Sequence, residues 1–248
     1  MKILLIHGHP FDHSLWDPQA VALRSAGYDV ITPDLRGYGA DPRQVGEITY
    51  LSDFASDLAA EFDGRAIVGG VSMGGQIAME FYRRYPERVA GLILSDTSPV
   101  GETPDGHRYR NDLADRLLAE GMAGYADEVL DKMITPEHVT ALPEVAAHVR
   151  RMMLATAPRG AAAALRGRAE RPDYQKTLAD VRVPTLIVVG ARDVYTPLPD
   201  AELISKLVPG SELVVVDDAG HLPGLESPAV VNAALLSFLA AHFPTPAR

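Results

Sequence analysis

The segment Ala66-Ile67-Val68-Gly69-Gly70-Val71-Ser72-Met73-Gly74-Gly75-Gln76 sets the architecture of the chain. Its first six residues are apolar or small and predict a buried β-strand, and a helical pattern follows Ser72. Residues 70–74 have the form G-x-S-x-G at this strand-to-helix junction. The turn leaves little room for side chains beside the serine, which explains Gly70 and Gly74. The pattern predicts that Ser72 presents its hydroxyl at the top of a sheet as a nucleophile, beside a helix N-terminus that favours negative charge.

Strands and helices alternate on both sides of this turn. The strand candidates are short, near-continuous apolar runs, as expected of parallel strands covered on both faces; they are residues 3–6, 30–31, 66–71, 89–94, 185–189 and 213–216. Helical periods lie between most of them, at residues 15–26, 50–62, 74–85, 200–207 and 229–242. The alternation predicts an α/β fold with a doubly wound, mostly parallel sheet of about six strands.

One interval, residues 99–181, breaks the alternation and contains only short helical pieces punctuated by Gly and Pro. A connection of about 80 residues without a strand is too long for an ordinary loop. We therefore expect a core domain of residues 1–98 and 182–248, with a helical lid of residues 99–181 inserted after the strand that ends near Ser95. Ligands of open α/β sheets bind beyond the carboxyl ends of the strands, where such a lid lies. An insertion that only packs against the sheet is the alternative.

The composition excludes several classes of protein. The apolar runs of the 248 residues are too short to span a bilayer, and residues 1–20 lack the apolar region of a signal peptide. The absence of cysteine excludes a thiol nucleophile and thiolate metal sites. The chain has 23 basic and 33 acidic residues, and the resulting net charge of −10 disfavours nucleic-acid binding. We expect a soluble, cytoplasmic protein that binds neither nucleic acid nor membrane.

A nucleophilic serine needs a base, and His221 fits this role best among the eight histidines. It lies in Asp218-Ala219-Gly220-His221-Leu222-Pro223, after the strand candidate 213–216 and before the last helix. That position is a loop at the carboxyl edge of the sheet. The other histidines fall in the lid, in the C-terminal tail or in the first loop, where we interpret His7 as a structural hydrogen-bonding residue.

The acid that orients the base is expected on another loop of the same edge, between the serine and the histidine in chain order. Asp193, directly after the strand candidate 185–189, meets both conditions and would accept a hydrogen bond from His221. Asp96, at the end of the strand candidate 89–94, is the rival acid. Asp217 and Asp218 are too close to His221 in sequence to be preferred.

Two backbone N–H groups are candidates for stabilising an oxyanion. One belongs to Met73, which follows the nucleophile, and the other to His9 in the loop His7-Gly8-His9-Pro10 after the first strand.

Neither a metal nor a cofactor is expected. The first loop holds His7, His9, Asp12 and His13, but their spacing is not that of a ligand cluster and no second cluster accompanies them. The glycines at 69, 70, 74 and 75 lack the lysine that a phosphate-binding loop requires.

With these residues in place, the chain resembles the α/β-hydrolase superfamily, in particular its small cap-bearing serine hydrolases, the 3-oxoadipate enol-lactonases and cofactor-free haloperoxidase-like esterases. The resemblance runs from Lys2 to about Phe243, and beyond the serine turn it rests on residues 7–10 with Trp16, and on residues 33–39, 85–89, 184–193 and 220–223 with Glu226 and Pro228. It implies a triad of Ser72, Asp193 and His221, with His9 and Met73 forming the oxyanion hole. A serine at position 72 also excludes the members of the superfamily that use an aspartate nucleophile.

The chain departs from the family pattern at its start. Family members usually carry an antiparallel hairpin before the strand that leads into His-Gly, and this chain begins at that strand. We therefore expect the first edge of the sheet to be bare or covered by a partner, such as a second copy in a homodimer.

The lid carries the one charge asymmetry that bears on the substrate. Residues 147–172 contain one acidic residue, Glu170, and six arginines, which are Arg150, Arg151, Arg159, Arg166, Arg168 and Arg171. If one or two of them face the cleft, the substrate carries a carboxylate. The alternative is that they form ordinary solvated helix faces. We expect Trp16, Met152 and Arg151 among the substrate contacts.

Taken together, these residues predict a hydrolase that cleaves a small carboxylic ester or lactone through an acyl-serine intermediate. Two alternatives stay open, because the same triad is compatible with both. One is a receptor that binds a ligand without turnover, and the other is a C–C hydrolase or lyase.

Overall fold

The computed structural model describes residues 1–244 and contains a six-stranded, entirely parallel β-sheet. The strands are β1 (Lys2–Ile6), β2 (Asp29–Ile31), β3 (Ala66–Val71), β4 (Val89–Ser95), β5 (Thr185–Gly190) and β6 (Glu212–Val216). Their order across the sheet is β2-β1-β3-β4-β5-β6. This confirms the predicted α/β class and strand number.

Helices connect and cover the strands. The α-helices in residues 1–244 are α1 (Asp17–Ser25), α2 (Leu51–Ala59), α3 (Met73–Arg84), α4 (Pro104–Glu120), α5 (Ala123–Met133), α6 (Pro136–Ala141), α7 (Pro143–Ala155), α8 (Pro158–Ala169), α9 (Gln175–Ala179), α10 (Leu198–Leu207), α11 (Pro223–Glu226) and α12 (Pro228–His242). None of these helices is long and apolar enough to cross a lipid bilayer.

Both faces of the four central strands, β1, β3, β4 and β5, are buried, as their near-continuous apolar sequences require. Successive residues of β1 point to opposite faces, so that Ile3 and Leu5 belong to one apolar cluster and Leu4 and Ile6 to the other. Helices α1 and α12 contribute to the first cluster, and α2, α3 and α10 contribute to the second. The sheet is therefore a rigid support for the loops at its carboxyl edge.

The segment between β4 and β5 consists of the six helices α4 to α9 and contains no strand. Helix α4 packs along α8. Helix α8 is also tied to the loop before α2, because the backbone N–H of Thr49 donates to the carbonyl of Ala163 at 3.0 Å. These contacts fix the rotation of α8 and therefore decide which of its side chains face the sheet. The boundaries of the lid as a separate domain stay a prediction.

Candidate active site

Ser72 occupies a strained turn between β3 and α3. Its backbone has φ +57° and ψ −117°, in the left-handed half of conformational space that residues with side chains rarely adopt. Hydrogen bonds at the N–H and at the carbonyl of Ser72 stabilise this strained conformation. The Ser72 N–H donates to the carbonyl of Ser95 at 3.0 Å, and the Thr97 hydroxyl donates to the carbonyl of Ser72 at 2.8 Å. The turn therefore lifts the Ser72 side chain above the carboxyl edge of the sheet.

The loop after β1 lies directly against this turn. A Cβ atom at Gly74 would lie 2.2 Å from the carbonyl oxygen of Ile6, and one at Gly8 would lie 3.3 Å from the Cβ of Ser72. Such contacts leave space only for glycine at position 74. The loop that carries His9 therefore lies next to the first residues of α3, which begins at Met73. The use of the His9 and Met73 N–H groups as an oxyanion hole stays a prediction.

His221 and Asp193 form a buried pair on two neighbouring loops. His221 follows β6 and Asp193 follows β5, and the imidazole Nδ1 lies 2.8 Å from Asp193 Oδ2. Asp193 also accepts hydrogen bonds from the Thr196 hydroxyl at 2.6 Å and from the Tyr195 N–H at 2.8 Å. Burial raises the pKa of Asp193, but the charge and hydrogen bond of His221 and these two donors outweigh it and lower the pKa to about 2. The carboxylate is therefore ionised throughout the neutral range.

Asp96, the rival acid, is engaged elsewhere. It accepts hydrogen bonds from the Ser95 hydroxyl at 2.6 Å and from the Gly190 N–H at 2.8 Å. Burial and then the negative charge of Asp193 raise the pKa of Asp96 well above its ordinary value. The structure thus pairs His221 with Asp193 and gives Asp96 a structural position between β4 and β5.

Ser72, His221 and His9 border one cavity of about 230 Å³ beneath the lid helices. The rest of its wall is mostly polar or aromatic and comprises Gln76, Ser98, Tyr109, Arg110, Leu113, Tyr125, Met133, Leu165, Arg168, Arg171, Tyr195, Thr196 and Asp200. The serine and the histidine that the sequence singled out therefore share one space that can hold a ligand.

The side chain of His9 is a buried wall residue of this cavity. Its Nδ1 is 2.8 Å from the hydroxyl of Tyr38. Burial, followed by the positive charges of Arg168 and Arg110, lowers the pKa of His9 well below its ordinary value. A neutral His9 cannot add to the positive charge of the wall. His7, in turn, accepts a hydrogen bond from the Leu35 N–H at 3.0 Å, a structural position like the one the sequence suggested.

The three expected substrate contacts lie outside the cavity, and this expectation is corrected. Trp16 is 4% exposed and packs in the apolar cluster to which α1 and α12 contribute. Met152 is buried in the same cluster, at the seam between lid and sheet. Arg151 is exposed and donates to His148 instead, at 3.2 Å, because α7 turns this side to solvent.

The basic segment divides between the cavity and the surface. Arg168 and Arg171 face the cavity, whereas Arg150 and Arg166 form exposed pairs with Asp127 and Asp115. Sequence reasoning missed Arg110, which lies on α4 outside the basic segment and reaches the cavity because α4 packs along α8. Its sequence neighbourhood carried no sign of this role.

Asp12, His13 and Asp34 bring their polar atoms within 4.8 Å of one another. Backbone and hydroxyl donors already use these oxygens. Asp12 accepts from the Ser14 N–H at 2.9 Å, and Asp34 accepts from the N–H groups of His13 and Ala40, both at 2.8 Å. The cluster is therefore explained by the capping of the short helix His13–Trp16 and by the turn after Asp34.

Comparison with known proteins shows the family of this chain. Residues 3–234 match the family model described as the alpha/beta hydrolase family. The chain belongs to the α/β-hydrolase family. This confirms the resemblance and, at the level of the family, the prediction of a hydrolase.

Individual relatives cover almost the whole chain. A pimeloyl-[acyl-carrier protein] methyl ester esterase of Aromatoleum aromaticum is 32% identical over 91% of this chain and 93% of its own. The 3-oxoadipate enol-lactonase 1 of Acinetobacter baylyi is 28% identical over 88% of this chain and 80% of its own. Among solved structures, a thermophilic esterase from Thermogutta terrifontis, solved with malate bound, is 37% identical with a TM-score of 0.93, over 98% of this chain and 90% of its own.

Proposed function

We propose that this α/β-hydrolase is a serine hydrolase that cleaves a small carboxylic ester or lactone through an acyl-Ser72 intermediate. Hydrolysis of ester bonds is the activity that its esterase and enol-lactonase relatives support. The observation that carries the finer proposal is the buried Asp193–His221 pair at the wall of the cavity into which the strained turn lifts Ser72.

The first half of the reaction forms the acyl-enzyme. Ser72 Oγ attacks the carbonyl carbon of the substrate while His221 Nε2 takes the hydroxyl proton. Asp193 accepts the Nδ1–H bond and stabilises the imidazolium that results. The negative charge moves to the carbonyl oxygen, where the N–H groups of His9 and Met73 and the N-terminus of α3 stabilise it. The tetrahedral intermediate then collapses, and His221 gives its proton to the departing alkoxide or enolate.

The second half regenerates the serine. His221 takes a proton from a water molecule, whose oxygen attacks the acyl carbonyl carbon. The C–O bond to Ser72 breaks, His221 returns the proton to Ser72 Oγ, and the carboxylic acid leaves. No redox step or external co-reactant other than water is needed.

The size of the cavity favours a small substrate. Its volume of about 230 Å³ lies below the roughly 300–1,000 Å³ of most small-molecule pockets. Short acyl groups and small lactones therefore fit this space better than long-chain lipids do.

The test is a screen of short p-nitrophenyl esters, small lactones and thioesters with the wild type and with Ser72→Ala. We expect Ser72→Ala to lose a factor of about 10⁴ or more in kcat on every substrate that the wild type turns over. Ser205→Ala, on α10, is the matched control and is expected to keep wild-type rates. Equal activity of the wild type and Ser72→Ala would contradict the proposal. Labelling of Ser72 by a fluorophosphonate without turnover of any substrate would favour a receptor instead.

A further inference from the structure

Arg168 is a buried cation in the wall of the catalytic cavity. It lies in the last turn of α8, only 8% of its surface is exposed, and it borders the same space as Ser72 and His221. Burial, and then the charges of Arg110 and Arg171, lower the pKa of its guanidinium. A buried cation is costly to the fold unless an anion accompanies it.

The nearest acidic side chain described for this wall, Glu102, is paired with its two other arginines. Glu102 Oε2 forms ion pairs with both Arg110 and Arg171. Arg168 donates from Nε to the neutral Oε1 of Gln76 at 3.2 Å. Within residues 1–244, no carboxylate oxygen lies within 4.0 Å of the Arg168 guanidinium nitrogens. Arg110 and Arg171 therefore share one directly paired carboxylate, and Arg168 has none among these residues.

Asp200 is the carboxylate that lines the cavity itself, and it does not neutralise Arg168 by direct contact. Its Oδ1 accepts a hydrogen bond from the Ser98 hydroxyl at 2.8 Å. No ion pair to Asp200 is present in the described part of the chain. The uncompensated charge on the arginine side remains.

Gln76 fixes the guanidinium relative to the nucleophile. Gln76 is 2% exposed and lies in the first turn of α3, where its N–H donates to the carbonyl of Ser72 at 3.1 Å. Arg168 is therefore held by a side chain that starts one helical turn, about 5–6 Å, from the attacking residue. A substrate that reaches both groups needs only a short chain between them.

We propose that Arg168 is the centre of a carboxylate-binding subsite, and that the preferred substrates are short esters or lactones that carry a second, free carboxylate. The planar fork of guanidinium N–H groups matches the two oxygens of a carboxylate. The substrate supplies the counter-charge that the wall lacks, with its ester carbonyl at Ser72. This inference rests on the proposed function for its catalytic half.

The kinetic test compares substrates that differ in one charge. The monoethyl esters of succinate, glutarate and adipate are each measured against the analogue whose carboxylate is replaced by a carboxamide of the same shape. For at least one chain length, we expect the wild type to prefer the carboxylate. In Arg168→Gln, the ratio of kcat/KM for carboxylate over carboxamide should fall about 10- to 100-fold, the range of a lost charge-assisted hydrogen bond.

Two further variants separate the subsite from a general effect of charge. Arg159→Gln makes the same substitution at an exposed position of α8, and the ratio is expected to stay at the wild-type value. Arg168→Lys keeps the charge but loses the planar fork, so the ratio should fall less than in Arg168→Gln. A ratio that Arg168→Gln leaves unchanged would overturn the subsite. An unchanged ratio includes the case in which both substrates lose kcat/KM by the same factor.

A binding measurement keeps the two proposals distinguishable. Succinate, glutarate and adipate are titrated by calorimetry at constant ionic strength into Ser72→Ala, and into the same protein with Arg168→Gln added. We expect at least one dicarboxylate to bind the first protein at least 10-fold more tightly than the second. Binding that depends on Arg168, in a protein whose wild type hydrolyses no ester, would sustain the subsite and refute the proposed function. Ester hydrolysis by the wild type without any binding that depends on Arg168 would sustain the proposed function and refute the subsite.

Discussion

The two walls of the catalytic cavity differ in how their charges are satisfied. On the catalytic wall, Asp193 accepts hydrogen bonds from His221, Thr196 and Tyr195. On the arginine wall, Glu102 is shared by two cations and Arg168 has a neutral partner. The first wall is complete within the protein, and the second is completed by an anion from outside.

This difference follows the two tasks of an active site. Groups that perform chemistry must be held in place before substrate arrives, and fully bonded side chains are held most firmly. Groups that bind substrate gain most when the ligand relieves a charge that the fold leaves uncompensated. We therefore expect changes on the catalytic wall to affect the rate, and changes on the arginine wall to affect selectivity and stability.

The largest effect in this comparison is expected from Asp193→Asn. The change keeps the shape of the side chain but removes the charge that orients His221, and the equivalent change in another triad costs about 10⁴ in kcat. The matched control is Asp96→Asn, which makes the same change in the neighbouring aspartate that His221 does not contact. It is expected to lose less than about tenfold in kcat. Because the pKa of Asp193 is about 2, the difference between the two variants should persist from pH 5 to pH 8. A larger loss of kcat in Asp96→Asn would assign the orienting role to the rival acid.

A smaller effect, on stability, is expected from Glu102→Gln. Two partly or fully buried arginines then lose their shared counter-charge, which should lower the free energy of unfolding by about 3 kcal/mol. Urea denaturation measures this loss, and Glu120→Gln, at the exposed end of α4, is expected to stay within about 0.5 kcal/mol of the wild type. Arg168→Gln removes the surplus charge instead and should cost less stability than Glu102→Gln. The reverse order would show that Arg168 is already neutralised in the folded protein.

The catalytic wall could be predicted from the sequence because its residues follow strand ends. Ser72 comes directly after β3, Asp193 three residues after β5 and His221 five residues after β6, and the carboxyl ends of parallel strands meet at one edge of the sheet. The sheet itself was predictable for the same reason. In the structure β4 ends at Ser95, and the sequence predicts that this strand ends near the same residue.

The arginine wall could not be predicted, since it depends on how helices dock. Arg151 and Arg168 have the same chemistry and lie in neighbouring helices, but α7 turns the first to solvent and α8 turns the second to the cavity. Arg110 reaches the wall only through the packing of α4 on α8. Trp16 shows the same limit in the core, because it follows the first loop in sequence but its ring packs in the apolar cluster of α1 and α12 and not in the cavity wall.

The central claim, that Ser72 carries the acyl group, is tested most directly by trapping the intermediate. Wild-type protein in steady turnover of p-nitrophenyl acetate is quenched in acid, digested and analysed by mass spectrometry, with Ser72→Ala as the blank. We predict one acetyl group on the wild-type peptide that contains Ser72, and none on the corresponding peptide of the variant. Turnover by the wild type with an unmodified Ser72 peptide, or an acetyl group on the corresponding peptide of Ser72→Ala, would contradict the account.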